Sequence, residues 1–116
     1  MKFTDTLKKN YEFHRLYSRG KTAVTPCLVV YARQTRRDRG RVGFTVSTKL
    51  GKAVVRNRVR RRLREIYRLH ETELRPGVDM VVVARTKAVD AEYARLERAF
   101  LGACARLSLL REAEKG

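Results

Sequence analysis

Apolar positions along the chain change period several times, and each change marks an element. Phe13, Leu16 and Tyr17 recur at i, i+3 and i+4, the spacing of one helical face, which predicts a helix over 10–19. Asn10 is its expected N-cap and Gly20 its stop. Thr22 to Gln34 alternates, predicting a strand broken or bulged at Pro26. Its Leu28, Val30 and Ala32 face one way, and Cys27, Val29, Tyr31 and Arg33 the other. Thr35 to Gly40 reads TRRDRG, a turn, and Arg41 to Ser47 alternates again as a second strand. So short a connection predicts an antiparallel hairpin of these two strands.

After a loop from Thr48 to Lys52 the period returns to that of a helix. Val55, Val59, Leu63, Ile66 and Leu69 fill an arc of roughly 120° on a wheel of about 100° per residue, predicting a helix to about His70, which Glu71 to Leu74 can extend. Arg75-Pro76-Gly77 is a turn. Val78 to Arg85 is an apolar run, expected as a strand buried on both faces. Asp90 is the expected N-cap of a last helix from Ala91 to about Arg111, in which Tyr93, Leu96, Phe100, Ala103, Leu107 and Leu110 form the inward face. Residues 1–8 are a polar lead-in, expected to be extended and pinned only by Phe3 or Leu7. Glu112 to Gly116 is expected to fray, so both ends are expected to be flexible.

The resulting order is α-β-β-α-β-α, an α+β fold in which helices flank a small mixed sheet, within one domain of 1–116. A chain of 116 residues buries about two-thirds of its unfolded surface, enough for one core. No apolar run reaches the ~18–20 residues of a membrane span, and MKFTDTLKKN lacks the apolar stretch of a signal peptide. The expected location is the cytoplasm.

Charge changes this picture most. The formal net charge is +16, from 28 basic and 12 acidic residues. The first 70 residues hold 20 basic and 4 acidic side chains, while the last 46 hold 8 of each, so the binding surface is expected in the N-terminal three-fifths. Seven arginines (Arg56, Arg58, Arg60, Arg61, Arg62, Arg64 and Arg68) crowd one helix, with Glu65 as the single acid among them. Arg56, Arg60, Arg64 and Arg68 form an i, i+4 row flanked by Asn57 and Arg61, and each like-charged pair in it costs about 0.2–0.5 kcal/mol. Solvated charged faces usually mix signs, and this one hardly does. A polyanion is the partner that makes such a helix tolerable, because neutralising phosphates releases counterions. Arg62 projects into the apolar arc, where its stem must run along the core.

Phe13 and Tyr17 lie among Arg15, Arg19 and Lys21, and Tyr31 is followed on its strand face by Arg33. Aromatics interleaved with cations are what a single-strand stacking surface needs, although core packing also explains such a face. Cys27 and Cys104 form no CxxC pair, and His14 and His70 lack metal-ligand spacing, so small buried thiols and no side-chain metal site are expected. No nucleophile with a paired base stands out, and no catalytic residue is assigned.

The run from Gly51 to Glu65, GKAVVRNRVRRRLRE, resembles the RNR signature of the bacterial ribonuclease P protein component. Leu7-Lys8-Lys9, Glu12-Phe13, Tyr17, Gly20 and Arg41-Val42-Gly43-Phe44-Thr45-Val46-Ser47 ahead of Lys49 match the same family in order and spacing, so the likeness spans about Leu7 to Leu109. The resemblance implies a subunit that binds a large catalytic RNA, ribonuclease P RNA, and helps remove the 5′ leader of precursor tRNA. The RNA, with Mg2+, carries the chemistry, and the protein alone binds no cofactor. It implies that Phe13, Tyr17 and Tyr31 line a leader cleft, to which the residue pattern adds Arg15 and Arg33. It implies that Arg56, Asn57, Arg58, Arg61 and Arg64 contact the catalytic RNA, helped by Lys49 and Lys52; the charge pattern adds Arg60 and Arg68. Tyr17 stands where many members have Phe. It also implies a left-handed crossover around the arginine helix, whereas general rules favour a right-handed one. The alternatives are another RNA-binding protein such as a ribosomal component, or a nuclease acting without RNA. Neither a membrane surface nor a small-molecule substrate is expected, since the basic helix lacks the bulky aromatic face of interfacial helices.

Overall fold

The computed structural model describes residues 1–111. Three helices pack on one five-stranded mixed sheet. The elements are β1 (Thr4–Thr6), α1 (Asn10–Arg19), β2 (Lys21–Val24), β3 (Leu28–Gln34), β4 (Gly40–Thr45), α2 (Ala53–His70), β5 (Val78–Ala84) and α3 (Tyr93–Arg106). Single 3-10 turns occupy Thr48–Leu50, Glu71–Glu73 and Thr86–Ala88. The α+β class with a small mixed sheet stands as expected, with two strands more than the sequence pattern predicts.

The sheet order is β1-β4-β5-β3-β2. The expected hairpin of β3 with β4 does not form. The two strands do run in opposite directions, but β5 lies between them, antiparallel to β3 and parallel to β4. The reason is burial: β5 is apolar on both faces, with Met80, Val81 and Val82 fully covered, and only a central position hides both faces. The turn after β3 therefore spans two inter-strand spacings, about 10 Å, rather than one. The segment 22–34 is likewise two strands. The chain reverses around Pro26, and β2 pairs antiparallel with β3, Ala23 opposite Val30.

The lead-in is not loose. Residues 4–6 pair parallel to β4, and Leu7, which donates its N–H to the Val42 carbonyl at 2.9 Å, is buried. Phe3 is exposed, and it takes part only through its N–H, which donates to Glu71 at 3.4 Å. What holds this end is the buried carboxylate of Glu71, which accepts from the Lys2 N–H and the Thr4 hydroxyl, both at 2.9 Å. Three residues are too short for a strand pattern to register, and the anchor lies 67 residues away in sequence. The expected fraying of Glu112 to Gly116 falls outside the described residues.

Helix ends differ in detail. Lys9 is the N-cap of α1, because the Glu12 side chain reaches back to accept the Lys8 and Lys9 N–H groups at 3.1 and 2.9 Å. Helix α3 begins after Glu92 instead of Asp90. It stops at Arg106, where Ser108 adopts φ 58° and turns the chain so that Leu110 pairs with Leu74.

The larger core lies between the sheet and α2 with α3. Leu28, Val30, Val42 and Met80 meet Val59, Leu63 and Ile66 from α2 and Leu96, Phe100 and Cys104 from α3. Tyr67, not Leu69, completes the buried stripe of α2; Leu69 is 49% exposed. Tyr67 sits one turn beyond Leu63, and its ring packs edge-on against Phe44 and Phe100. On the other face α1 covers a small cluster of Leu7, Leu16 and Val81.

Candidate nucleic-acid interface

Two surfaces carry the residues singled out from the sequence. The first is the outer face of α2. Asn57, Arg60, Arg61, Arg64 and Arg68 line one hollow of about 440 Å³, with Glu65 and Met1 at its border. Arg68 is paired with Glu65 at 2.6 Å, Arg60 donates to the Asn57 side-chain Oδ1 at 3.3 Å, and Arg56 donates to the Gly51 backbone carbonyl at 3.1 Å. Among the described residues the side chains of Arg58, Arg61 and Arg64 have no acceptor and pair with no carboxylate. Lys49 lies in the 3-10 turn before α2 and Lys52 is its N-cap, so with Arg56 and Arg58 they mark the helix's N-terminal end rather than the hollow. Arg62 donates to the Ala91 carbonyl at 3.0 Å and ties α2 to the segment before α3, a packing role.

The second surface lies between α1 and the sheet. Tyr31 of β3, Val81 of β5 and Gly43 of β4 stand in one row across the strands. A Cβ at Gly43 would come within 2.5 Å of the Phe13 ring, so the glycine is what lets that ring lie on β4. Tyr17 packs edge-on against Tyr31 with ring centroids 5.0 Å apart, and its hydroxyl bonds the Thr45 hydroxyl at 2.9 Å. Phe13 and Tyr31 are half-buried, and Tyr17 is 37% exposed. Each ring thus keeps part of its surface open while its orientation is fixed. Gly43 and Thr45 position this cleft and were not singled out as site residues. The signal available was Gly43 alternating between Val42 and Phe44, since glycine in a strand marks a close approach of something else.

These surfaces meet. A hollow of about 220 Å³ is lined by Phe13 and Gly43 from the cleft and by Arg60 and Arg64 from α2, together with Leu7. Arg15 is exposed on α1. Arg33 is placed elsewhere: it lines a hollow with Arg19, Lys21 and Arg75 beside the end of α3.

Sequence reasoning passed over the device that fixes α1 to the sheet. Asp79, buried in β5, accepts from Arg37 at 2.6 Å and from Arg41 at 2.9 Å, and Arg41 also pairs with Glu12. The Glu12 carboxyl is held below the usual carboxylate range, first by the Lys9 N–H, with Lys8 and Arg41 adding to it against a partial burial cost. An acid inside an apolar strand run was the available signal, because buried carboxylates are paired. His70 bonds Glu73 and Glu97 at the far end of α2. Burial opposes its protonation, but the two carboxylates outweigh burial and raise its pKa. His14 is exposed and stands edge-on to Tyr17 at 6.4 Å. Both cysteines are buried free thiols, and burial pushes Cys104 up to about 12. Among the described residues no group of three His, Cys, Asp or Glu side chains is placed to hold a metal ion. None of the described helices is long and apolar enough to cross a membrane.

Fold and site together define a small α+β protein whose exposed guanidinium face and aromatic cleft suit a polyanion with bases to stack. Comparison with known proteins is specific. The Ribonuclease P family model matches residues 1–108, and the chain belongs to this family of bacterial ribonuclease P protein components. It is 39% identical over 113 residues to the ribonuclease P protein component of Alkaliphilus oremlandii, covering 97% of this chain and 99% of that one. It is 45% identical over 91 residues to that of a Thermoanaerobacter species, covering 78% of each. The solved structure of the Staphylococcus aureus RNase P protein superposes with a TM-score of 0.83 at 30% identity, over 91% of this chain and 97% of that one.

Proposed function

We propose that this chain is the non-catalytic protein subunit of ribonuclease P, acting in the cytoplasm. On this reading the outer face of α2 binds the catalytic RNA, through Asn57, Arg58, Arg60, Arg61, Arg64 and Arg68, with Lys49, Lys52 and Arg56 at the helix's N-terminal end. The cleft of Phe13, Tyr17 and Tyr31 stacks bases of the precursor tRNA leader, with Arg15 on a nearby phosphate. The RNA subunit holds the Mg2+ ions and carries the hydrolysis, and the protein orients the leader beside it. The observation that carries this reading is the hollow shared by Phe13 and by Arg60 and Arg64. A single strand lying on the aromatics would emerge directly against the guanidiniums that hold the catalytic RNA.

The test is reconstitution with a bacterial ribonuclease P RNA and a precursor tRNA at low magnesium. Cleavage at the mature 5′ end is expected to depend on the protein. In the same system Arg61→Ala should flatten the log–log salt dependence of catalytic-RNA binding by about 1. Protein-independent cleavage rates, or cleavage by the protein without RNA, would defeat the proposal.

A further inference from the structure

Arg19, Lys21, Arg33 and Arg75 line one hollow of about 440 Å³ at the β2 edge of the sheet. Three separate constraints bring them together. Gly20 joins α1 to β2 where a Cβ would come within 2.6 Å of the Leu16 carbonyl, so Arg19 and Lys21 flank an enforced close turn. The pairing of Lys21 with Ala32 sets Arg33 alongside. Arg75 is drawn in because its N–H donates to the Leu109 carbonyl at 2.8 Å, just past Ser108, the single described non-glycine residue at positive φ.

All four side chains are exposed, and among the described residues none donates to an acceptor or pairs with a carboxylate. Three other surface arginines are engaged: Arg39 on Asp5, Arg106 on the Val24 carbonyl, Arg111 on the Leu74 carbonyl. Among the described residues no acid lines the hollow, and the Ser108 hydroxyl at its rim donates to none of them. Four like charges gathered on one open surface raise the local potential, which an external polyanion relieves. The patch is also remote from α2. Helix α2 packs beside β4, toward the β1 edge, while the patch lies at β3 and β2, across the sheet order.

We propose that Arg19, Lys21, Arg33 and Arg75 form a second RNA-backbone site, which contacts phosphates separately from the α2 face. It rests on the functional reading above. An open hollow with cations from four segments suits several successive phosphates rather than one ion. Those phosphates belong either to the catalytic RNA or to precursor tRNA, and the experiment separates the two.

The variant is Arg19→Ala/Lys21→Ala/Arg75→Ala, which leaves Arg33 and every residue assigned to the cleft and α2 intact. Salt dependence of affinity is measured for the protein with ribonuclease P RNA, and for the reconstituted holoenzyme with precursor tRNA. The slope is expected to flatten by about 2–3 for one of them. Flattening with ribonuclease P RNA assigns the site to that RNA, and flattening only with precursor tRNA assigns it to the substrate. Arg19→Lys/Lys21→Arg/Arg75→Lys should restore the wild-type slope, which a folding defect would not explain. Unchanged slopes for both RNAs overturn the second site while leaving the functional reading in place. Wild-type protein that binds neither RNA overturns that reading and this one together.

Discussion

On one face of the sheet, α2 and α3 seal a core in which Leu28, Val30, Met80, Ile66, Leu96 and Phe100 are almost fully hidden. On the other, α1 covers only Leu7, Leu16 and Val81, and leaves three aromatic rings partly open around a glycine. The difference teaches how a chain this small divides its work. The sealed face supplies the hydrophobic stabilisation, at about 25 cal/mol per Å² of apolar surface buried. The open face is held by polar bonds at its margins, Arg41 to Glu12 and Asp79, and Tyr17 to Thr45. It keeps aromatic surface open on Phe13, Tyr17 and Tyr31. Helix α2 serves both plans, with Val59, Leu63, Ile66 and Tyr67 inside and arginines outside.

This contrast can be broken at either face. The largest effect is expected from Phe100→Ala, which empties a site 1% exposed in the sealed core. It should cost about 3–5 kcal/mol in denaturant unfolding, and leader affinity should fall only through loss of folded protein. Asp79→Asn attacks the margin of the open face, where Arg37 and Arg41 would lose their shared carboxylate. A cost of about 2–3 kcal/mol in unfolding free energy is expected, accompanied by weaker leader binding because α1 is less firmly held. Unaltered stability would mean that the ion cluster is incidental. Phe13→Ala should reduce leader binding by about 1–3 kcal/mol, measured by titrating precursor tRNA into the holoenzyme, while sparing affinity for the catalytic RNA. Equal losses on both would return Phe13 to the core and erase the distinction between the faces.

The smallest effect concerns His70. Its folded pKa is raised above the ordinary 6.5, so its contribution is fully present below about 6.5 and is lost as pH climbs through the raised value. The thermal midpoint of the wild type should therefore fall more between pH 6 and 8 than that of His70→Gln. Parallel profiles would show that Glu73 and Glu97 do not stabilise the charged ring.

Much of the arginine face could be read from the chain because both of its signals are local. An apolar stripe at helical spacing and an almost acid-free run of arginines need no knowledge of the rest of the fold. Helix α2 begins and ends within a few residues of expectation for the same reason. Arg62's inward projection, and so its packing role, was likewise a matter of wheel geometry. Asp79 was legible in principle, as an acid in an apolar strand, but its partners were not, because Arg37 and Arg41 approach it from other elements and Glu12 joins only through Arg41.

Local periodicity thus determined that the chain is α+β, that one helix is cationic, that β5 is buried on both faces, and that aromatics and cations share α1. It could not determine that β5 separates β3 from β4, because burial of both faces is satisfied only by the whole sheet. Nor could it show that residues 4–6 form an edge strand anchored by Glu71, that Phe13 rests on Gly43 and opens toward Arg60 and Arg64, or that Arg33 joins Arg19, Lys21 and Arg75. Each of these pairs groups far apart in sequence. Their proximity is fixed by sheet order and close packing, which act only once the chain is folded.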